Sequence, residues 1–194
     1  MIEKQSHKSN FDINPNILDR WSPRSMTGEE IPDEDLMALF EAARWAPSAS
    51  NNQPWRFIYA KRNSSEWNRL FGLLAESNQI WAKNAAVLVV IISRTKAEYK
   101  EKDYHTHAFD TGAAWENLAI EAVSRGFVTH GMAGFDYQKA RIELEIPDVF
   151  EVMAMCAIGK QGPKESLSQN LQEREKPADR KELSEIVMEG KFRK

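Results

Sequence analysis

The run Ala46-Pro47-Ser48-Ala49-Ser50-Asn51-Asn52-Gln53-Pro54-Trp55 decides how the rest of the chain is read. Upstream, Leu36, Leu39, Phe40 and Ala43 keep the i, i+3, i+4, i+7 spacing of a buried helical face. Pro32-Asp33-Glu34-Asp35 opens that helix, its acids facing the positive end of the dipole. Downstream, residues 55–60 carry the aromatic and β-branched side chains of a strand. Between helix and strand, small hydroxyls and amides lie between two prolines, the chemistry of a turn.

Farther out, residues 85–92 form a continuous Val/Ile/Leu run, the pattern of a strand buried on both faces. Residues 150–158 predict a second core strand, and residues 127–130 a short one leading into Gly131-Met132-Ala133-Gly134. Helices are expected over residues 65–75, 109–125, 137–145 and 180–189, with Gly126 stopping the longest at its C′ position. Residues 17–20 are a short apolar-then-basic segment, and residues 1–14 a loose arm or a first short helix. Residues 162–176 are polar and predict an extended arm, in which Glu173-Arg174-Glu175-Lys176 reads as solvated. Helices and strands alternate too irregularly for a doubly wound repeat. The fold class expected is α+β, one domain with a central sheet flanked by helices.

The 194 residues are 42% hydrophobic and 28% charged, enough for one domain to bury a core without disulfides or a structural metal. A net charge of -3 argues against an electropositive nucleic-acid surface. The single cysteine, Cys156, excludes an intramolecular disulfide and a Cys-based zinc cluster. It lies in an apolar run, as an inert buried thiol does. His105 and His107 could face one way on a strand, but no carboxylate or cysteine has matching spacing, so no metal is expected. There is no Gly-x-Gly-x-x-Gly and no P-loop. The N-terminus lacks the apolar core of a secretory signal, and the longest apolar run is too short to span a bilayer. A cytoplasmic protein without a membrane partner is the expectation.

A second constellation, Arg20-Trp21-Ser22-Pro23-Arg24, precedes the first. Pro23 biases Ser22 towards an extended conformation, and alternate side chains of an extended segment point to one side. Two guanidiniums and a hydroxyl so placed can fork onto phosphate oxygens. The bland reading is a solvated basic turn, since surface arginine is common. For the first run, the mixed donors and acceptors of Ser, Asn and Gln suit an aromatic heterocycle with carbonyl and ring-nitrogen edges. Its bland reading is a well-bonded connection.

With Gly134-Phe135-Asp136 and with Arg180 upstream of Leu183, these runs stand in one order over residues 17–187. In that order the chain resembles the FMN-dependent nitroreductase family. The resemblance implies a mostly antiparallel sheet in an interlocked homodimer, with FMN at the subunit interface and residues 162–194 reaching the partner. Arg20, Ser22 and Arg24 match residues that hold the phosphate and the polar edge of the flavin, Trp21 adding its backbone. Pro47, Ser48, Ala49 and Asn51 match a segment reaching the flavin from the other subunit. Ala133 and Gly134 match a loop whose backbone lies beside the flavin, and Arg180 a C-terminal phosphate-binding arginine. Trp115, inside the long helix, suits a dimer seam. The sequence departs from the family at Gly131 and Ala133, where members carry proline and glutamate, and at Ala178, where a lysine is frequent. The stretch from Ser93 to His105 is too short for the helical lid of larger members. The resemblance implies an oxidoreductase with ping-pong transfer from NAD(P)H to nitroaromatic or quinone-type acceptors, the flavin carrying the chemistry with no catalytic side chain. The alternatives are an FMN-binding regulatory or storage protein, or a reductive dehalogenase or flavin-cleaving enzyme of the same fold.

Overall fold

The Val/Ile/Leu run forms Val87–Arg94 (β2), which lies inside a four-stranded sheet. Its neighbours are Trp55–Lys61 (β1) on one side and Phe150–Gly159 (β4) on the other. Val128–Met132 (β3) pairs with the far edge of β4. Every pairing is antiparallel, with Trp55 opposite Ser93, Val90 opposite Met155 and Thr129 opposite Ile158. The structure is a computed structural model that describes residues 9–99 and 101–193. The expected N-terminal arm falls largely on residues 1–8, outside the described residues, and residues 9–14 are exposed without a regular element.

Alternation along β2 explains why the whole strand is apolar. Successive side chains point to opposite faces, so Leu88, Val90 and Ile92 enter one core while Val87, Val89 and Ile91 enter the other. The second core is closed by Asp33–Arg44 (α2), through Leu36, Leu39 and Ala43, and by the long helix His107–Ser124 (α5), through Ala114, Leu118 and Ala122. The first core is closed by Trp67–Phe71 (α3), Glu76–Ala82 (α4) and Tyr137–Glu143 (α6), with Leu70, Trp81 and Ala140 buried. The α+β class with helices on both faces of an antiparallel sheet is therefore observed.

Several expectations are corrected. The helix expected over residues 65–75 ends at Phe71, because Leu74 leaves it to bridge Phe135 and the Ala75 N–H donates to the Gly134 carbonyl at 3.0 Å. The sequence reading did not single out α4, which follows at once. Residues 17–20 belong to a short helix, Pro15–Asp19 (α1), with Pro15 at its start and Asn14 as its N-cap. The polar arm over residues 162–176 folds back, with Leu167, Leu171 and Glu175 buried around the single turn Gln169–Gln172 (α7). His107 opens α5 instead of lying on a strand. Gly126 stands just past that helix at φ 78°, the left-handed conformation its C′ role requires. The last helix, Leu183–Ile186 (α8), is shorter than expected and exposed, its start closed by a Glu182–Glu185 capping box.

Candidate functional site

Residues 20–25 run from α1 towards the Met26–Gln161 bridge and belong to no helix or strand. Arg20 donates from its guanidinium to Ser22 Oγ at 3.3 Å, so two members of the expected triplet meet. The Arg20 side chain stands 3.9 Å from Glu116 of α5, and the Arg24 side chain 3.9 Å from Glu175. Both pairs lie beyond hydrogen-bond reach, so both guanidiniums keep N–H groups for an anion. Their side chains are 17% and 21% exposed, half-sheltered and therefore less screened than ordinary surface arginines. Ser22 and Trp21 are half-buried and Pro23 is buried.

His130 of β3 lies beneath this segment, with Nδ1 donating to the Pro23 carbonyl at 3.0 Å and its ring 4.6 Å from that of Trp81. Burial pushes the imidazole down to about 4, with Arg24 and Arg20 adding positive charge nearby. The unfolded chain, titrating near 6.5, then binds the proton more strongly than the folded one. Stability is expected to fall as pH drops from about 6.5 to about 4, by about 3 kcal/mol in all. Urea denaturation across that window should show the loss in the wild type and a flatter profile in His130→Asn. Equal slopes in the two proteins would contradict the assignment.

The polar loop between α2 and β1 is strained. Ser50, Asn51 and Gln53 have φ of 53°, 54° and 47°, a region non-glycine residues rarely occupy. Buried Asp110, in the first turn of α5, holds the loop by accepting from the Ala49 N–H at 3.0 Å. The same oxygen takes the single proton of the Tyr104 hydroxyl, whose oxygen also stands 3.0 Å from the Ala49 carbonyl. Burial raises the Tyr104 phenol above its ordinary range, and the Asp110 bond adds to the shift. Ser48 Oγ closes the turn on the Gln53 N–H at 3.0 Å. Pro47, Ala49 and Asn51 are exposed on its outer edge and Ser48 is half-buried. Among the described residues, no hydrogen bond or ion pair joins Arg20, Ser22 or Arg24 to Pro47, Ser48, Ala49 or Asn51.

Ala133 and Gly134 are exposed where β3 ends. The Gly134 carbonyl accepts from Ala75 N and from Asn78 Nδ2, the latter at 2.9 Å. A Cβ on Gly134 would stand 2.7 Å from that Asn78 nitrogen, so a larger residue there would displace the Asn78 side chain. Arg24, Asn78, Trp81, Ser168 and Arg174 line a cleft of about 260 Å³. Asn78 thereby links the Gly134 loop to the cationic segment. Arg180 stays apart: it is exposed and donates to its own Ala178 carbonyl at 2.8 Å. Trp115 is half-buried, packed against the core beneath α5, and a Cβ on Gly131 would meet its ring at 3.4 Å. The reading of Glu173-Arg174-Glu175-Lys176 as solvated is corrected at Glu175, whose buried carboxylate accepts from Arg24 N and Ser25 N at 2.7 and 2.8 Å. The sequence reading missed Asn78, His130 and Asp110. Only His130 carried a signal, a polar residue between Val128 and Met132 in a strand.

Ser93, His107 and Glu151 align like a hydrolase triad, with Ser93 Oγ 3.0 Å from His107 Nδ1 and His107 Nε2 3.6 Å from Glu151. Ser93 is 0% exposed and its oxygen also accepts from Thr111 Oγ1 at 2.8 Å. A sealed, saturated oxygen cannot attack a substrate, so the trio ties α5 to the sheet. Among the described residues no three His, Cys, Asp or Glu side chains are grouped to hold a metal ion. Among the same residues, no helix is long and apolar enough to cross a membrane. Cys156 is buried, and burial pushes its thiol far above the ordinary range, which leaves it inert.

Fold and site define an α+β protein that presents a cationic segment, a strained polar loop and a glycine turn around the ends of one sheet. The sequence pattern of the Nitroreductase family matches residues 17–160. The chain belongs to that family. A solved structure described as an oxidoreductase containing FMN is 44% identical, with a TM-score of 0.94 covering 100% of this chain and 99% of that one. A Mycolicibacterium smegmatis protein, "Uncharacterized 15.4 kDa protein in ask 5'region", is 30% identical over 146 residues, 71% of this chain and 97% of its own. An Archaeoglobus fulgidus relative named "Putative NADH dehydrogenase/NAD(P)H nitroreductase" is 29% identical over 147 residues, 74% of this chain and 82% of its own.

Proposed function

We propose that the chain is an FMN-dependent oxidoreductase that passes electrons from NAD(P)H to nitroaromatic or quinone-type acceptors. The observation that carries this reading is the cleft where Arg24 and Arg174 face Asn78 and Trp81, joined through Asn78 to the turn at Gly134. Its donor set fits an anionic, aromatic cofactor: guanidiniums for phosphate, amides for a heterocycle edge, and a glycine that lets a planar ring approach the backbone. The FMN in the 44% identical structure and the NAD(P)H in the Archaeoglobus relative's name support the same choice.

Arg20, Ser22 and Arg24 hold the phosphate and the polar edge, with Trp21 contributing its backbone and Arg180 a second cation from the C-terminal segment. Ala133 and Gly134 offer backbone groups. Pro47, Ser48, Ala49 and Asn51 act on the site of a second copy, so the working unit is a homodimer. When bound, FMN supplies two-electron exchange between NAD(P)H and an oxidised acceptor. The protein's part is to orient the reactants in turn at one site, which gives ping-pong kinetics.

Steady-state oxidation of NAD(P)H, with and without a nitroaromatic, tests the reading. Acceptor-dependent turnover with parallel double-reciprocal lines is expected. A protein that binds FMN but turns over neither acceptor class would make it a binding module. The two-chain site has its own test. Mixing Arg20→Ala chains with Asn51→Ala chains should give heterodimers with both lesions in one site and neither in the other. About half FMN occupancy per heterodimer is expected from a two-fold arrangement. Equal impairment of both sites would show that each chain builds its own.

A further inference from the structure

The segment that carries Arg20, Ser22 and Arg24 has no ladder of its own over residues 20–25, so ordering it must be offset by contacts from elsewhere. Two side chains far away in sequence supply them at a single peptide group. The carbonyl of Pro23 accepts from His130 Nδ1 at 3.0 Å. The N–H of the same peptide plane, on Arg24, donates to Glu175 Oε1 at 2.7 Å, and the next N–H, on Ser25, donates to that oxygen at 2.8 Å. The plane is thus gripped from both edges, which fixes the direction in which the Arg24 side chain leaves the backbone.

The second oxygen of Glu175 tells more. The side chain is 2% exposed, and Oε2 is buried without a hydrogen-bond partner, 3.9 Å from the Arg24 guanidinium. An orphaned buried carboxylate oxygen costs stability. Glutamine would satisfy both N–H groups as well without burying a charge. The carboxylate therefore serves the arginine beside it. Arg174, the adjacent residue, lines the same cleft as Arg24. Docking Glu175 brings the C-terminal segment and its arginine to the anion site in one step.

We propose that His130 and Glu175 are positioning residues that grip the Pro23–Arg24 peptide group from its two edges and aim the Arg24 guanidinium into the cleft that takes FMN. The inference rests on the reading that FMN binds at this segment. Its readout is FMN affinity, followed by quenching of flavin fluorescence in the full chain, with circular dichroism reporting the fold. Glu175→Ala and His130→Leu should each weaken FMN binding by about tenfold. His130→Asn keeps the N–H donor and Glu175→Gln keeps the acceptor oxygen. His130→Asn should recover most of its loss, and Glu175→Gln, which keeps the grip on the peptide but lacks the charge beside Arg24, only part of it.

A residue acting through Arg24 should lose its effect once Arg24 is gone. Adding Glu175→Ala or His130→Leu to Arg24→Ala should cost no further affinity. A purely structural role would instead give additive losses, and that result overturns the proposal, as does wild-type affinity in a folded His130→Leu or Glu175→Ala protein. If Glu175→Ala does not fold, the His130 pair carries the test alone. Wild-type protein that takes up no FMN would overturn the functional reading and this inference together. Tight wild-type binding with additive variants overturns the grip alone.

Discussion

Asp110→Ala is expected to lower the unfolding free energy by about 3 kcal/mol and to abolish the contribution of the 48–53 loop to cofactor binding. The carboxylate is 4% exposed and one of its oxygens holds the Ala49 N–H, the Tyr104 hydroxyl and, at 3.3 Å, Thr106 Oγ1. Alanine leaves the Ala49 and Tyr104 donors without that acceptor. It also releases a loop with three non-glycine residues at positive φ, each costing on the order of 1–3 kcal/mol when held there. The strain persists because Asp110 and Tyr104 over-determine the turn. Urea denaturation and FMN titration of the variant read the two effects together. A loss under about 0.5 kcal/mol, within the range of an ordinary surface change, would show that the loop holds its shape without this anchor.

The double variant Arg20→Ala/Arg24→Ala is expected to weaken FMN binding by about two to four decades. Each charge-assisted contact is worth roughly 1.5–3 kcal/mol, and 1.4 kcal/mol is about tenfold. The Arg20–Glu116 pair is loose and half-exposed and contributes little, whereas removing Arg24 leaves the buried Glu175 carboxylate without its neighbouring cation, so a folded but less stable protein is expected. FMN titration beside far-ultraviolet circular dichroism checks both halves. Unchanged affinity in a folded double variant would place the cofactor elsewhere.

Where the chain makes its own local pattern, the sequence was readable. The Val/Ile/Leu run of β2 is apolar throughout because both faces are covered, and α2 shows its buried face because Leu36, Leu39 and Ala43 meet one core. Gly126 ends α5 for a backbone reason that composition alone exposes. The polar loop was legible as a loop, though not its strain, since Ser50, Asn51 and Gln53 are not the residues that usually advertise positive φ as strongly as glycine. What escaped was tertiary. Leu167 and Leu171 are too sparse in a polar stretch to make a periodic face, yet both are buried. Glu175 finds its partners 150 and 151 residues away, a separation that leaves no local trace. The same holds for Asn78, whose bond to Gly134 spans 56 residues. Arg20 and Ser22 were paired correctly from their spacing because an extended segment needs only a two-residue period. Arg180 matched by sequence order, but its guanidinium turns back to Ala178 in the single chain.

The measurement that bears most directly on the central claim is the visible spectrum of the purified protein, followed by identification of whatever flavin denaturation releases. The expected result is a yellow protein with FMN bound non-covalently, its absorption bleached by NAD(P)H and restored by a nitroaromatic or a quinone. A colourless protein that binds no added FMN, or one that releases FAD, would contradict the account.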